Sequence, residues 1–217
     1  MSWNFFGCLT LLKSIYDRRD VTYLEGEKMS ESIRSFLAFD IENDTVRNRL
    51  AKAQALLVQT GADVKLVETE NIHVTMRFLG DINVGMSEKI FAEMKKIQFT
   101  PFNVQIKGIG VFPNLHYPRV VWAGITEGAD QLRGIFSQLE PQLRGLGFAP
   151  DDKGFSPHLT IARVRSGRNK AQLAEFVDEN AGFDFGAIRA ECLRLKRSVL
   201  SPKGPTYSTL KEYCPGQ

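Results

Sequence analysis

Ile72-His73-Val74-Thr75-Met76-Arg77-Phe78 and Pro157-His158-Leu159-Thr160-Ile161-Ala162-Arg163 are two versions of one phrase, with their histidines 85 positions apart. Each is a His-x-Thr followed by apolar residues. The chain has three histidines, so this pattern takes up all but His116. Side chains alternate faces along a strand, and residues i and i+2 share a face about 6.6–6.8 Å apart. The alternation puts Ile72, Val74, Met76 and Phe78 on a core face and His73, Thr75 and Arg77 on the other. The second phrase divides in the same way, with Leu159 and Ile161 opposed to His158 and Thr160. One motif per half of the chain predicts two similar α+β lobes facing each other across a cleft.

The rest of the chain from Ile33 onward supports that class. Ile33 to Ile41 is a strand-like run entering a core. Asn43 and Asp44 can cap a helix from Thr45 to Gln59, where Val46, Leu50, Ala53 and Leu57 recur at helical spacing before Gly61. Strands are predicted for Val64 to Glu68, Ile72 to Leu79, Phe102 to Val111, Arg119 to Ile125 and His158 to Arg165. Helical spacing marks Ser87 to Ile97, Ala129 to Leu146 and Lys170 to Glu179. A strand-rich tail runs from Phe185 to Tyr213, with Pro202-Lys203-Gly204-Pro205 as its hairpin turn. Strands and helices mix without the strict alternation or glycine fingerprint of a doubly wound nucleotide fold.

At 217 residues, 43% of them hydrophobic and 24% charged, the chain reads as globular. Its net charge of +3 is compatible with a phosphate-bearing partner, and equally with a solvated surface. Cys8, Cys192 and Cys214 are odd in number and lack CxxC spacing, so neither a metal signature nor a disulfide framework is expected, and a reducing cytoplasm is. No HxxxH or HExxH pattern occurs, so no zinc site is expected. No apolar run approaches the roughly 20 residues of a membrane-spanning helix, and no membrane association is expected. Residues 1–28 lack the order of a secretory signal, because Lys13, Arg18 and Arg19 follow the apolar run instead of preceding it. They are expected to be an extension outside the fold, with an amphipathic docking helix as the alternative. Residues 29–217 are expected to form a single bilobal domain.

Histidine is the side chain whose unperturbed pKa lies nearest neutrality. Two imidazoles facing each other suit an in-line displacement at phosphorus, one removing a proton from the attacking water and the other protonating the departing oxygen. Threonine hydroxyls between them can donate to the non-bridging oxygens where charge accumulates. Such chemistry calls for no metal and no cofactor. A Ser-His-Asp hydrolase is the rival metal-free scheme, but the chain has no GxSxG elbow and that scheme leaves the paired threonines unexplained.

Further marks surround the two phrases: the opening strand Arg34-Ser35-Phe36-Leu37-Ala38-Phe39-Asp40, Phe78-Leu79-Gly80 after the first motif, Gly108-Ile109-Gly110-Val111-Phe112-Pro113, Pro118-Arg119-Val120-Val121-Trp122, and Phe155-Ser156 ahead of the second. With these the chain resembles the two-histidine phosphoesterase superfamily, and within it the archaeal and bacterial RNA 2′,3′-cyclic phosphodiesterases, also called 2′-5′ RNA ligases. The resemblance spans about Ser30 to Tyr213. It implies a bilobal α+β fold of two pseudo-symmetric lobes of mostly antiparallel sheet, with helices outside and a central cleft. It also implies hydrolysis of RNA 2′,3′-cyclic phosphate ends to 2′-phosphomonoesters, with reversible joining of 2′-5′ linkages in tRNA halves. By the same analogy His73 is the proton donor, His158 the proton acceptor, and Thr75 and Thr160 hold the phosphate. A monomer acting on RNA in the cytoplasm is expected.

Other residues carry two readings each. Arg119 and Arg163 can supply positive charge at the cleft; in a regular strand, however, Arg163 shares a face with Leu159 and Ile161, and packing or a surface ion pair is the alternative. Phe78 and Phe155 can stack on a base, or belong to the core. Arg163, Arg165, Arg168 and Lys170 either track an RNA backbone or form a solvated turn and helix start. Two alternatives to the RNA-end hydrolase remain: the same mechanism on a small cyclic phosphate such as ADP-ribose 1″,2″-cyclic phosphate, or an RNA-binding module without catalysis. Intact His and Thr in both motifs argue against the latter.

Overall fold

β1 (Ile33–Asp40) enters the core at once, and every residue from Ser35 to Phe39 is buried. The structure, a computed structural model, describes residues 32–151, 154–202 and 204–216. The expected extension at 1–28 lies outside the described residues. α1 (Asp44–Gln59) is capped by Asn43, whose side chain accepts from the Val46 amide, and it buries Val46, Leu50, Ala53 and Leu57 as their spacing predicts. β2 (Val64–Leu66) and a single 3-10 turn, Thr69–Asn71, lead into β3 (His73–Ile82). α2 (Val84–Met94) begins earlier than its apolar spacing predicts, because Asn83 caps it through the Met86 amide. β4 (Phe102–Phe112), β5 (Val120–Ile125), α3 (Ala129–Gly145), β6 (His158–Val164), α4 (Lys170–Glu179), β7 (Asp184–Ala190), β8 (Leu193–Ser201) and β9 (Gly204–Tyr213) follow.

The strands form one nine-stranded sheet in the order β7-β4-β5-β6-β3-β1-β8-β9, with β2 alongside β6, and the pairings are antiparallel. The fold is α+β, as expected. A single rung between β3 and β6, Val74 with Leu159, joins its two halves. The lobes are not one per half of the chain. β8 and β9, from the C-terminal end, complete the lobe of β1 and β3, while β4 and β5 complete that of β6. α1 packs on β6 and β7, α4 on β4, and α2 on β8, β9 and α3.

Both motif strands carry a β-bulge at the same place. Thr75 pairs with Ala38 and Arg77 with Leu37, so Met76 is an extra residue in β3. Thr160 pairs with Trp122 and Ala162 with Val121, so Ile161 is an extra residue in β6. An extra residue shifts the alternation by one, so side chains beyond it change faces.

Cys192 and Cys214 are joined by a disulfide across the open end of the β8–β9 ribbon. This corrects the expectation that the cysteines form no bridge. Leu193 pairs with Tyr213, which makes the two cysteines the next opposed pair. Gly110 has a steric role: a Cβ there would lie 2.1 Å from the Trp122 ring, which packs over it.

Candidate active site

The Val74–Leu159 rung fixes the relation between the two motifs. Both residues are fully buried, so His73, Thr75, His158 and Thr160, which flank them, share the opposite face. In an antiparallel pair the order reverses, placing Thr160 on the His73 side and His158 on the Thr75 side. The two histidines are thus diagonal neighbours, a relation that spans about 7–8 Å in antiparallel sheet. That separation leaves room for one tetrahedral phosphorus between them.

Each imidazole is held in the same way. Nδ1 of His73 lies 2.7 Å from the Asn71 carbonyl oxygen, and Nδ1 of His158 lies 2.7 Å from that of Ser156. A carbonyl only accepts, so Nδ1 donates in both rings and Nε2 is left as the atom that exchanges a proton. Phe36 stacks on His73 with 4.7 Å between centroids, and Tyr207 meets the same ring edge-on at 5.3 Å. Phe112 meets His158 edge-on at 5.0 Å. This packing removes water from the rings. Burial lowers the His73 pKa to about 4, against the raising effects of the Asn71 carbonyl and Asp40. Burial also lowers that of His158, and the Arg163 charge adds to the effect.

The cleft beside these residues holds a cavity of about 430 Å³, lined by His73, Thr75, Phe78, Thr160, Arg163 and Tyr207 among others. Its size falls in the range of small-ligand sites. Arg34 and Lys65 add positive charge to the lining, and Glu68 is a carboxylate there. Asn71 ties the site to the β8–β9 hairpin, its amide donating to the Pro205 carbonyl at 3.0 Å.

Phe78 and Arg163, each five residues beyond its histidine, both reach the cleft. The bulges at Met76 and Ile161 place them there, correcting the regular alternation that puts Phe78 on the core face and Arg163 beside Leu159 and Ile161. Phe78 is 62% exposed, as an aromatic platform must be. The same shift sends Arg77 away from the cleft, where its Nε bonds Glu140 of α3 at 2.5 Å. Phe155 stacks on Phe136 at 4.9 Å and packs against the core instead of lining the cleft. Arg119 lines a separate hollow with His116. Sequence reasoning missed Phe36, Asn71, Lys65 and Tyr207. Asn71 stands two residues before His73 as Ser156 does before His158, a repeated spacing that could have found it. Phe36, Lys65 and Tyr207 carry no such signal, because only the sheet order brings them to the cleft. Among the described residues one group of metal-ligating types occurs, Cys192, Glu212 and Cys214, and its two sulfurs are bonded to each other. No helix is long and apolar enough to cross a membrane among the described residues.

Comparison with known proteins agrees with this geometry. A family model described as LigT like phosphoesterase matches residues 41–122 and 124–207, so each matched segment contains one His-x-Thr motif. An RNA 2′,3′-cyclic phosphodiesterase of Aeropyrum pernix is 37% identical over 164 residues, covering 76% of this chain and 93% of that protein. One of Methanothermobacter thermautotrophicus is 36% identical over 183 residues, covering 83% and 98%. The crystal structure of E. coli LigT complexed with 3′-AMP superposes with a TM-score of 0.71 at 22% identity, covering 86% of this chain and all of that one, and so shares the fold. The two bulged His-x-Thr strands, joined at one rung, are those of a chain that belongs to the LigT-like phosphoesterase family.

Proposed function

We propose that this chain hydrolyses RNA 2′,3′-cyclic phosphate ends to 2′-phosphomonoesters without a metal. The observation that carries the reading is the diagonal placement of His73 and His158 on one face, each with Nδ1 committed to a carbonyl. His158 Nε2 takes a proton from water as the water oxygen bonds to phosphorus. The P–O3′ bond breaks, and O3′ takes the proton carried by His73 Nε2. The product keeps the phosphate on O2′ and a free 3′ hydroxyl. Thr75, Thr160 and Arg163 donate to the non-bridging oxygens, where charge grows most in the transition state. A phosphodiester anion between the rings favours their protonated forms, which offsets the burial that keeps His73 neutral in the free protein.

If a 5′ hydroxyl replaces water as the nucleophile, the same proton transfers join two RNA ends through a 2′-5′ linkage. Reversal of those transfers cleaves it. The exposed ring of Phe78 in the cleft supports a nucleobase carried on the same ribose as the cyclic phosphate; in ADP-ribose 1″,2″-cyclic phosphate that ribose has no base and the adenine lies across a pyrophosphate, so a nucleotide end is favoured. We place a monomeric enzyme in the cytoplasm on the ground that RNA is its substrate; the Cys192–Cys214 bridge withdraws the cysteine argument for that compartment.

The deciding experiment incubates an RNA bearing a 2′,3′-cyclic end with the wild type and with the His73→Ala and His158→Ala variants, with and without EDTA. The expected product is a 2′-phosphate, formed equally with chelator, and each variant loses most of the rate. Full turnover by either variant would overturn the mechanism. A 3′-phosphate product would show that O2′ is the leaving oxygen.

A further inference from the structure

A second hollow, of about 310 Å³, opens at the far end of β6 and is lined by His116, Tyr117, Arg119, Arg165 and Lys170 among others. The bulge at Ile161 connects it to the cleft. Beyond that bulge Arg163 and Arg165 are alternate residues, both exposed. The face that carries His158 and Thr160 therefore continues as Arg163 and then Arg165, about 6.6–6.8 Å per step. Arg163 lines the cleft and Arg165 lines the hollow.

No ion pair neutralises these cations among the described residues. Among the described residues, none of Arg119, Arg163, Arg165, Arg168 and Lys170 forms an ion pair with a carboxylate, whereas Arg77, Arg194, Lys196 and Lys211 each meet one. With a net charge of only +3 on the whole chain, this is a local concentration, and like charges held together repel unless an anion joins them. The segments that hold them are fixed by hydrogen bonds. Lys170 Nζ donates to the His116 carbonyl at 3.2 Å, the Arg165 amide to the Asp63 carbonyl at 2.8 Å, and Arg168 Nε to the Gly61 carbonyl at 3.1 Å. Asn114 Oδ1 accepts from the amides of His116 and Tyr117, both at 3.0 Å, which sets the turn that presents Tyr117. Tyr117 is 75% exposed at the rim.

We propose that this hollow is a phosphodiester-binding groove for the single-stranded RNA that leads to the cyclic end. Arg165 and Lys170 take backbone phosphates and Tyr117 stacks on a base. This rests on the RNA-end reading of the cleft. A strand row running from the phosphate-binding face into the groove, with an exposed aromatic at its rim, fits a polynucleotide better than an acidic peptide, which uses charge alone.

The test compares the full chain with its Arg165→Ala/Lys170→Ala double variant and with Tyr117→Ala. Substrates are a 2′,3′-cyclic mononucleotide, which does not reach the groove, and an oligoribonucleotide of about ten residues with the same cyclic end. Binding of a fluorescent oligoribonucleotide with a 3′ hydroxyl is followed by anisotropy across salt concentrations. The expected double variant matches wild type on the mononucleotide and loses about tenfold in kcat/KM on the oligonucleotide. Its slope of log affinity against log salt becomes shallower by about 1.4, the loss of two single-strand phosphate contacts. Tyr117→Ala weakens binding by at least about fivefold. An unchanged salt slope, or equal losses on both substrates, would overturn the groove. So would polyglutamate competing with equal affinity and losing it in the double variant, since the groove would then be one for acidic peptides. If wild type leaves both cyclic substrates intact, the hydrolase reading fails, and the anisotropy arm still decides the groove.

Discussion

Phe36 lies stacked on the ring of His73, 4.7 Å between centroids and 27° between planes. The contact joins neighbouring strands, since β1 supplies the phenyl ring and β3 the imidazole. Because burial is the largest cause of the lowered His73 pKa, Phe36 belongs to the shell that keeps this ring neutral. Phe36→Leu keeps most of the apolar volume but removes the flat cover. The His73 pKa, followed by NMR titration with His73→Ala for assignment, is expected to rise from about 4 toward the ordinary value. No movement would mean that burial by other groups sets it.

The pH dependence of kcat/KM follows from the same shifts. The reactive form carries one proton on the histidine pair, and kcat/KM reports the free protein. Both pKa values lie below the ordinary 6.5. The singly protonated form therefore peaks on the acid side of 6.5 and thins as pH rises beyond it. The expected kcat/KM falls about tenfold per pH unit from pH 7 to pH 8. A plateau or a rise over that interval would contradict the shared-proton scheme.

Burial of His73 also enters stability. Its folded pKa lies below its unfolded one, so the unfolded chain binds more protons as pH falls below 6.5. Stability is thus present above 6.5 and is lost down to about 4, where the folded ring titrates too. The loss amounts to roughly 3 kcal/mol. Urea unfolding of wild type and His73→Gln at several pH values checks this; the variant is expected to lose about 3 kcal/mol less between pH 6.5 and pH 4.

Arg163 and Arg77 show where the sequence stops being legible. The apolar spacing of α1, the Asn43 cap and the alternation around His73 and His158 were all plain in the residues, as were the strand-rich tail and its hairpin turn. A bulge is not. One extra residue at Met76 or Ile161 leaves the hydropathy pattern nearly unchanged, yet it swaps the destinations of the side chains that follow, Arg77 and Phe78 in β3 and Arg163 in β6. The consecutive buried pair Ile161-Ala162, followed by an arginine, is the faint signal such a shift leaves. Arg163→Ala is expected to lose about 10²-fold in kcat/KM on a cyclic mononucleotide, with Arg163→Lys recovering only part because it lacks the fork. An undiminished rate in Arg163→Ala would remove Arg163 from the phosphate site.

Arg77 makes the opposite prediction. Its side chain and that of Glu140 are 12% and 17% exposed, and its guanidinium also donates to the carbonyls of Phe78 and Ala149. Glu140→Gln leaves a largely buried cation without its counter-charge, and breaking such a pair costs about 3 kcal/mol. Denaturant unfolding should show that loss while kcat/KM of the folded protein holds. A raised KM with unchanged stability would instead return Arg77 to the cleft.

The Cys192–Cys214 bridge was readable in principle. The two residues are spaced almost equally about the Pro202-Lys203-Gly204-Pro205 turn, so a hairpin centred there opposes them. Counting cysteines by number and CxxC spacing overlooked that register. The bond closes a loop with a sequence separation of 22, and the chain-entropy model gives about 3 kcal/mol for a loop of this length. It clasps the ribbon end beside Arg194, which bonds Asp40, Glu42 and Glu212, while Tyr207 lies toward the turn, paired with Ser198. A Cys192→Ser/Cys214→Ser variant is therefore expected to unfold at lower denaturant, by about 3 kcal/mol, with kcat/KM on a cyclic mononucleotide unchanged. Loss of activity at full stability would mean that the clasp positions Tyr207 against His73, and that the far end of the ribbon governs the site.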